Sequence, residues 1–144
     1  MWILDTNVIS ETRVSKPNAG VLSFIEQYDG KFYTTSINIA EISAGIVKLA
    51  DSEQSRVLET WLNNSVRPWF SDRVLNVSEE CLLRWLVIGK EVQKSKGPTP
   101  PADLLIAAVA IQAGMKIVTR DITPFVACGV PTLNPWTGER FNGA

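Results

Sequence analysis

Histidine is absent from these 144 residues. That removes imidazole acid–base chemistry, serine–histidine–aspartate catalysis and the usual zinc sites together. Cysteine is scarce: Cys81 and Cys128 have neither CxxC spacing nor a histidine nearby, and read as unpaired thiols of a reducing compartment. No apolar run approaches the roughly 18 residues needed to span a bilayer. The first residues lack the basic flank and small-residue cleavage site of a secretory leader, so a cytoplasmic location is the expectation. A basic excess is also lacking, since 14 Lys and Arg face 15 Asp and Glu for a net charge of −1. Any contact with nucleic acid must then rest on a local patch or on metal ions. What remains for chemistry is carboxylates, hydroxyls, Lys and Arg, or a hard cation.

The composition, 45% hydrophobic and 20% charged, is that of an ordinary globular domain. No internal repeat or domain boundary is visible; one domain is expected over residues 1–136, with 137–144 a loose tail. Trp2–Leu4 forms a short apolar strand, ended by a turn at Asp5-Thr6-Asn7. Asn18 opens a helix with Val21, Phe24, Ile25 and Tyr28 on one face. Lys31–Thr35 is a second strand, and Asn38 is expected to cap a helix carrying Ile39, Ile42, Ile46 and Leu49. After Asp51-Ser52 a further helix carries Val57, Leu58, Trp61 and Leu62. Residues 63–72 read as a loop and Val74–Val77 as a third strand. Ser78, followed by Glu79 and Glu80, starts a helix that stops at Gly97. The segment GPTPP is a rigid loop, Ala102–Ala113 a helix buried nearly all round, and Lys116–Thr119 a fourth strand. Alternation of short apolar strands with helices predicts an α/β fold, a mainly parallel sheet with helices on both faces.

In such folds ligands gather at the carboxyl ends of the strands. Asp5, Glu41, Asp103 and Asp121 all fall just after a strand or in the first turns of a helix. Each has a local use. Asp5 suits an Asx turn, Glu41 completes a capping-box spacing with Asn38, Asp103 complements a helix dipole, and Asp121 suits a cap for Ile122–Phe125. Gathered at one sheet edge, however, they would repel by about 3 kcal/mol per pair at 5 Å and an effective dielectric near 20. A divalent cation relieves that repulsion, and oxygen ligands without His or Cys suit Mg²⁺ or Mn²⁺. Such a site polarises phosphate and activates water, which points to metal-assisted phosphoryl hydrolysis.

With these residues in view, the chain resembles the PIN-domain ribonucleases, and within them the VapC-like toxins of bacterial toxin–antitoxin pairs. The matching stretches are ILDTNVIS (Ile3–Ser10), INIAEISAG (Ile37–Gly45), ADLLIAAVA (Ala102–Ala110), VTRD (Val118–Asp121) and LNPW (Leu133–Trp136). LNPW, with ISE and Pro17-Asn18, looks most like the FitB-like subgroup. The resemblance implies a three-layer α/β/α sandwich over residues 1–136 and a Mg²⁺- or Mn²⁺-dependent endoribonuclease. It also implies a homodimer and inhibition by a small cognate antitoxin. Asp5, Asp103 and Asp121 would coordinate metal, Glu41 would hold a metal or orient the attacking water, and Thr6 and Asn7 would support the first Asp. Water would attack phosphorus, leaving 5′-phosphate and 3′-hydroxyl ends. One departure stands out: relatives commonly carry an acid just before the Phe of this last motif, where TRDITPF has Pro124.

Other features invite bland readings. Arg84, Lys90, Lys94 and Lys96 fit a solvated helix face better than an RNA track, and Trp61 and Trp85 fit core or dimer surface better than base stacking. Glu11 and Arg13 either rim the acidic cleft or pair with each other. Two alternatives stand beside the nuclease: a PIN fold kept as a catalytically decayed binding module, and a receiver-like signalling domain. The latter wants a paired acid after the first strand and a Lys after the last; Asp5 alone and Arg120-Asp121 do not supply them.

Overall fold

The computed structural model describes residues 1–30 and 32–144. Strand β1 (Trp2–Leu4) runs mid-sheet, parallel to β2 (Phe32–Thr35) on one side and β4 (Lys116–Val118) on the other. Beyond β2 lies β3 (Val74–Leu75) and beyond β4 lies β5 (Thr132–Leu133), both parallel. The short β6 (Arg140–Phe141) pairs antiparallel with β5, completing the order β3-β2-β1-β4-β5-β6.

Both faces of the sheet are covered, which is why the central strand β1 is apolar throughout. Side chains alternate across a strand, so Trp2 and Leu4 enter one core with Val21, Phe24, Phe32 and Phe70. Ile3 points the other way, into a second core with Ile106, Ile117 and Phe125. The first layer is built by α1 (Thr6–Glu11), α2 (Ala19–Gln27), α3 (Ser36–Lys48) and α4 (Glu53–Trp61). The second rests on α7 (Pro101–Ala113) and α8 (Thr123–Ala127), and α6 (Glu79–Lys96) packs outside α7 through Ile88, Val92, Leu104 and Ala108. This is the three-layer α/β/α sandwich.

Asp5 does not end β1 in a turn. It caps α1, which starts at once with Thr6. The polar run Asn63-Asn64-Ser65 suggested a loop, but residues 62–69 continue α4 as a π-helical stretch (Leu62–Val66) and then α5 (Arg67–Trp69). Leu62, Val66 and Phe70 keep a four-residue spacing into the core while the polar trio faces solvent. Val57 is exposed rather than packed, and buried Ser55 completes a capping box with Ser52. The third strand is shorter than expected, Lys31 lies outside the described residues, and β4 stops one residue before Thr119.

The final residues are not a loose tail. Arg140–Phe141 extends the sheet, and the Asn142 amide donates to the carbonyls of Val126 and Val130. Leu133–Trp136 also has a packing role. Gly20, in the first turn of α2, lies so close to the Pro135 carbonyl that any Cβ there would overlap it.

Candidate active site at the carboxyl edge of the sheet

The chain runs from β1 outward through β2 and β3, then returns to the other side of β1 with β4 and β5. The reversal leaves a crevice between the carboxyl ends of β1 and β4, where such sheets bind ligands. Asp5 leaves β1 there and Thr119-Arg120-Asp121 leaves β4.

Asp5 is buried and held from three directions. Its Oδ1 accepts from the Thr6 N–H at 2.8 Å and from the Asn38 amide at 3.0 Å. Its Oδ2 accepts from the Thr119 hydroxyl at 2.7 Å, with the Asn7 amide more distant at 3.5 Å. Asn38 is not the helix cap; Thr35 is, and Asn38 sits three residues in with its side chain wholly buried. Its oxygen accepts from the Thr35 hydroxyl at 2.6 Å, and its second amide proton goes to the Thr6 hydroxyl at 3.1 Å. Nor does Glu41 return to Asn38: the Thr6 hydroxyl donates to Glu41 Oε1 at 3.2 Å, carrying the network from β1 to α3. On the other flank the Thr119 hydroxyl accepts from the Asp121 N–H at 3.0 Å, and Asn7 Oδ1 accepts from the Arg120 N–H at 3.1 Å.

Asp103 lies half-buried in the first turn of α7, and Asp121 is exposed just beyond β4; Ile122, rather than Asp121, holds the cap position of α8. Asp5, Glu41 and Asp103 are each raised by burial and by neighbouring carboxylate charge. Burial raises the Asp5 carboxyl most, with Asp121's charge adding and hydrogen bonds from Thr119, Thr6 and Asn38 opposing. Glu41 is raised by partial burial and by the charges of Asp5 and Asp103, against the Thr6 hydrogen bond. Asp103 is pushed up to about 6 by burial, then by Asp5 and Asp121. Among the described residues the one ion pair is Arg56–Asp51, so none of the four carboxylates has a cationic partner.

The donor set fits a hard divalent cation: oxygen ligands alone, surplus negative charge, and one carboxylate already fixed in orientation. Among the described residues no three such side chains are drawn close enough to form a ready cage. Binding of an ion would require side-chain movement, which the half-exposed Asp103 and exposed Asp121 could supply. Pro124 is buried in the first turn of α8 and contributes no ligand.

The raised acids have a thermodynamic consequence. A carboxyl whose folded-state pKa lies above its unfolded value contributes stability below the unfolded value and loses it as pH rises through the folded one. For Asp103 this window runs from 3.8 to about 6. Metal-free protein should therefore lose thermal stability across that window more steeply than Asp103→Asn. Differential scanning fluorimetry checks this; identical pH profiles would mean the cluster carries no unrelieved repulsion.

Asn38 and Thr119 hold Asp5 by hydrogen bonds that sequence reasoning missed. For Thr119 the signal was a polar residue directly after the apolar strand β4; Asn38 gave none, because its capping-box spacing with Glu41 already offered a local use. Of the aromatic and charged features, Trp61 packs against the first core, and Trp85 packs beside α7 with its indole N–H on the Pro101 carbonyl at 3.1 Å. Arg84, Lys90, Lys94 and Lys96 all face solvent.

The PIN domain family model matches residues 2–126. Plasmid stability protein StbB of Pseudomonas syringae is 35% identical, with 94% of this chain and 99% of that protein covered. VapC ribonuclease Y4jK of Sinorhizobium fredii is 31% identical over 94% and 98% of the two chains. Toxin FitB of Neisseria gonorrhoeae is 32% identical over 94% and 99%. The crystal structure of FitAcB from that organism superposes with a TM-score of 0.84 at 33% identity, covering 94% of this chain and 99% of that one. The likeness runs through β1, α3, α7 and β4, the elements that bring the four acids together, and on this ground the chain belongs to the PIN domain family.

Proposed function

We propose that this protein is a Mg²⁺- or Mn²⁺-dependent endoribonuclease acting as the toxin of a toxin–antitoxin pair. One observation carries the reading: four carboxylates from separate parts of the chain lie about the switch-point crevice with no cationic partner among the described residues. The relatives named VapC ribonuclease and toxin FitB support the same activity class and role. Asp5, Asp103 and Asp121 would hold the ion, and Glu41 would hold an ion or orient water. When bound, the cation polarises the phosphate, lowers the pKa of water and stabilises charge on the oxygens of an in-line displacement. The chain's own part is orientation: Thr6, Asn38 and Thr119 fix Asp5 so that its lone pairs meet the ligand without reorganising. Without histidine, attack by water rather than by the ribose 2′-hydroxyl is the consistent route.

Chelator-stripped protein should leave single-stranded RNA intact. Addition of Mg²⁺ or Mn²⁺ should restore cleavage, with 5′-phosphate and 3′-hydroxyl ends. Cleavage that persists in chelator, or cyclic-phosphate ends, would overturn the metal-water route. Metal binding too feeble to measure by calorimetry, with no cleavage, would instead favour the decayed binding module, for which Pro124 is the specific motive.

The antitoxin reading is supported by the FitAcB likeness. A homodimer is supported by Leu82, Leu83, Leu86 and Val87, exposed along α6. The helix starts with Glu79 and Glu80 and ends with Lys94 and Lys96, so two antiparallel copies would match opposite charges around that stripe. Sedimentation of the free protein as a monomer would remove this reading.

A further inference from the structure

Two exposed arginines flank the carboxylate crevice, and each lies over a tryptophan instead of pairing with an acid. The Arg13 guanidinium carbon is 5.7 Å from the centre of the Trp61 ring, and that of Arg120 is 5.1 Å from Trp136. Neither arginine forms an ion pair among the described residues. Glu11, the partner that sequence proximity suggested for Arg13, accepts from the Asn18 N–H at 2.8 Å instead. Both tryptophans are half-buried against the first core, so the arginines rest on anchored platforms.

The two pairs sit on opposite flanks of Asp5. Arg13 and Trp61 line the same groove as Thr6 and Glu41, on the β2 side. Arg120 is tied by its backbone to Asn7, and Trp136 follows β5, on the other side. Left to Coulomb's law alone, a cation beside four acids would fold onto one of them. Attraction to an indole face holds each guanidinium away from the acids and leaves its N–H donors free for a phosphate. In a chain of net charge −1, such paired local cations are what an anionic polymer can grip.

We propose that Arg13 and Arg120 bind the phosphates on either side of the scissile one in a single-stranded RNA, and that Trp61 and Trp136 hold them in place. Single-stranded RNA is the matching form, because its unstacked bases can lie against the exposed guanidinium groups, which the stacked bases of a duplex cannot reach. This rests on the nuclease reading above and adds where the strand runs: across the sheet's carboxyl edge, from α1 to β5.

Binding of a fluorescein-labelled, unstructured RNA is measured by anisotropy over a KCl series, with Asp103→Asn as background so that the RNA stays whole. Adding Arg13→Ala or Arg120→Ala should each weaken binding roughly tenfold, as expected for loss of a charge-assisted contact. Each should also flatten the log Kd against log salt slope by about 0.7, the single-strand value for one phosphate. Lys94→Ala, on the solvated face of α6, should leave that slope unchanged. In otherwise intact protein each arginine change should raise KM while kcat holds, the signature of lost substrate binding. Unchanged slopes, a loss confined to kcat, or equally tight binding of duplex RNA overturn the inference. If the parent protein cleaves no RNA with Mg²⁺, the nuclease reading fails and takes this with it. If it cleaves and the arginine variants match it, only this inference fails.

Discussion

Asp103→Ala is expected to lower metal-dependent RNA cleavage by more than about a hundredfold, because losing even the residues that orient metal ligands costs about 10–100-fold. Its fold should survive. Asp103 is acted on by burial and by the like charges of Asp5 and Asp121, with no hydrogen bond offsetting them. The lost dipole interaction at the start of α7, worth about 0.3–1 kcal/mol, is opposed by relief of that repulsion. Without metal the variant should melt at or above the parent's temperature above pH 6, and added Mg²⁺ should stabilise it less. Parent-level cleavage by this variant would reject the site. Asp5→Ala is a poorer probe despite an equal expected loss of activity. It strands donors from Thr6, Asn38 and Thr119 and removes the cap of α1, at about 1–3 kcal/mol for each unsatisfied buried group.

Asn38→Ala should be the most damaging change to a residue that touches neither ion nor RNA. The side chain is wholly buried and satisfies Asp5, Thr6 and Thr35 at once. Loss of a hydrogen bond to a charged group costs about 1.5–3 kcal/mol, and the Thr35 hydroxyl, left without an acceptor for its proton, adds to it. A total near 3 kcal/mol is a large share of the roughly 5–15 kcal/mol that holds a domain together. Cleavage should fall by about 10–100-fold as Asp5 gains freedom. Asn7→Ala should do less on both counts, since its contact to Asp5 is the long one at 3.5 Å. Urea unfolding and cleavage rates for the two variants test the order; a milder Asn38→Ala would mean that Thr6 and Thr119 suffice to fix the carboxylate.

Three of the acids were legible because each stands near the edge of an apolar run, Asp5 and Asp121 past its end and Asp103 at its start. Asp5 after Ile3-Leu4, Asp103 after two prolines and Asp121 after Ile117-Val118 can all be found by reading outward from short hydrophobic runs. The partners were not legible, because a side chain's local use and its distant use look alike in one dimension. Asn38 and Glu41 have the spacing of a capping box. The fold instead turns Asn38 inward to Asp5 and gives Glu41 the Thr6 hydroxyl. Arg13 stood two residues from Glu11, yet it rests on Trp61, and the tryptophan beside the crevice on the far flank is Trp136 of LNPW.

By itself the sequence determined the chemistry available: no histidine, few thiols, acids at strand ends, and an alternation of strands and helices that only a parallel sheet can satisfy. Those follow from composition and local periodicity, which folding cannot alter. Only the tertiary structure decided which groups meet. The reversal of strand order at β1 and β4 makes the crevice, and burial there makes each hydrogen bond to Asp5 matter. Such contacts join residues more than a hundred positions apart, as between Asp5 and Thr119, where no sequence spacing carries a signal.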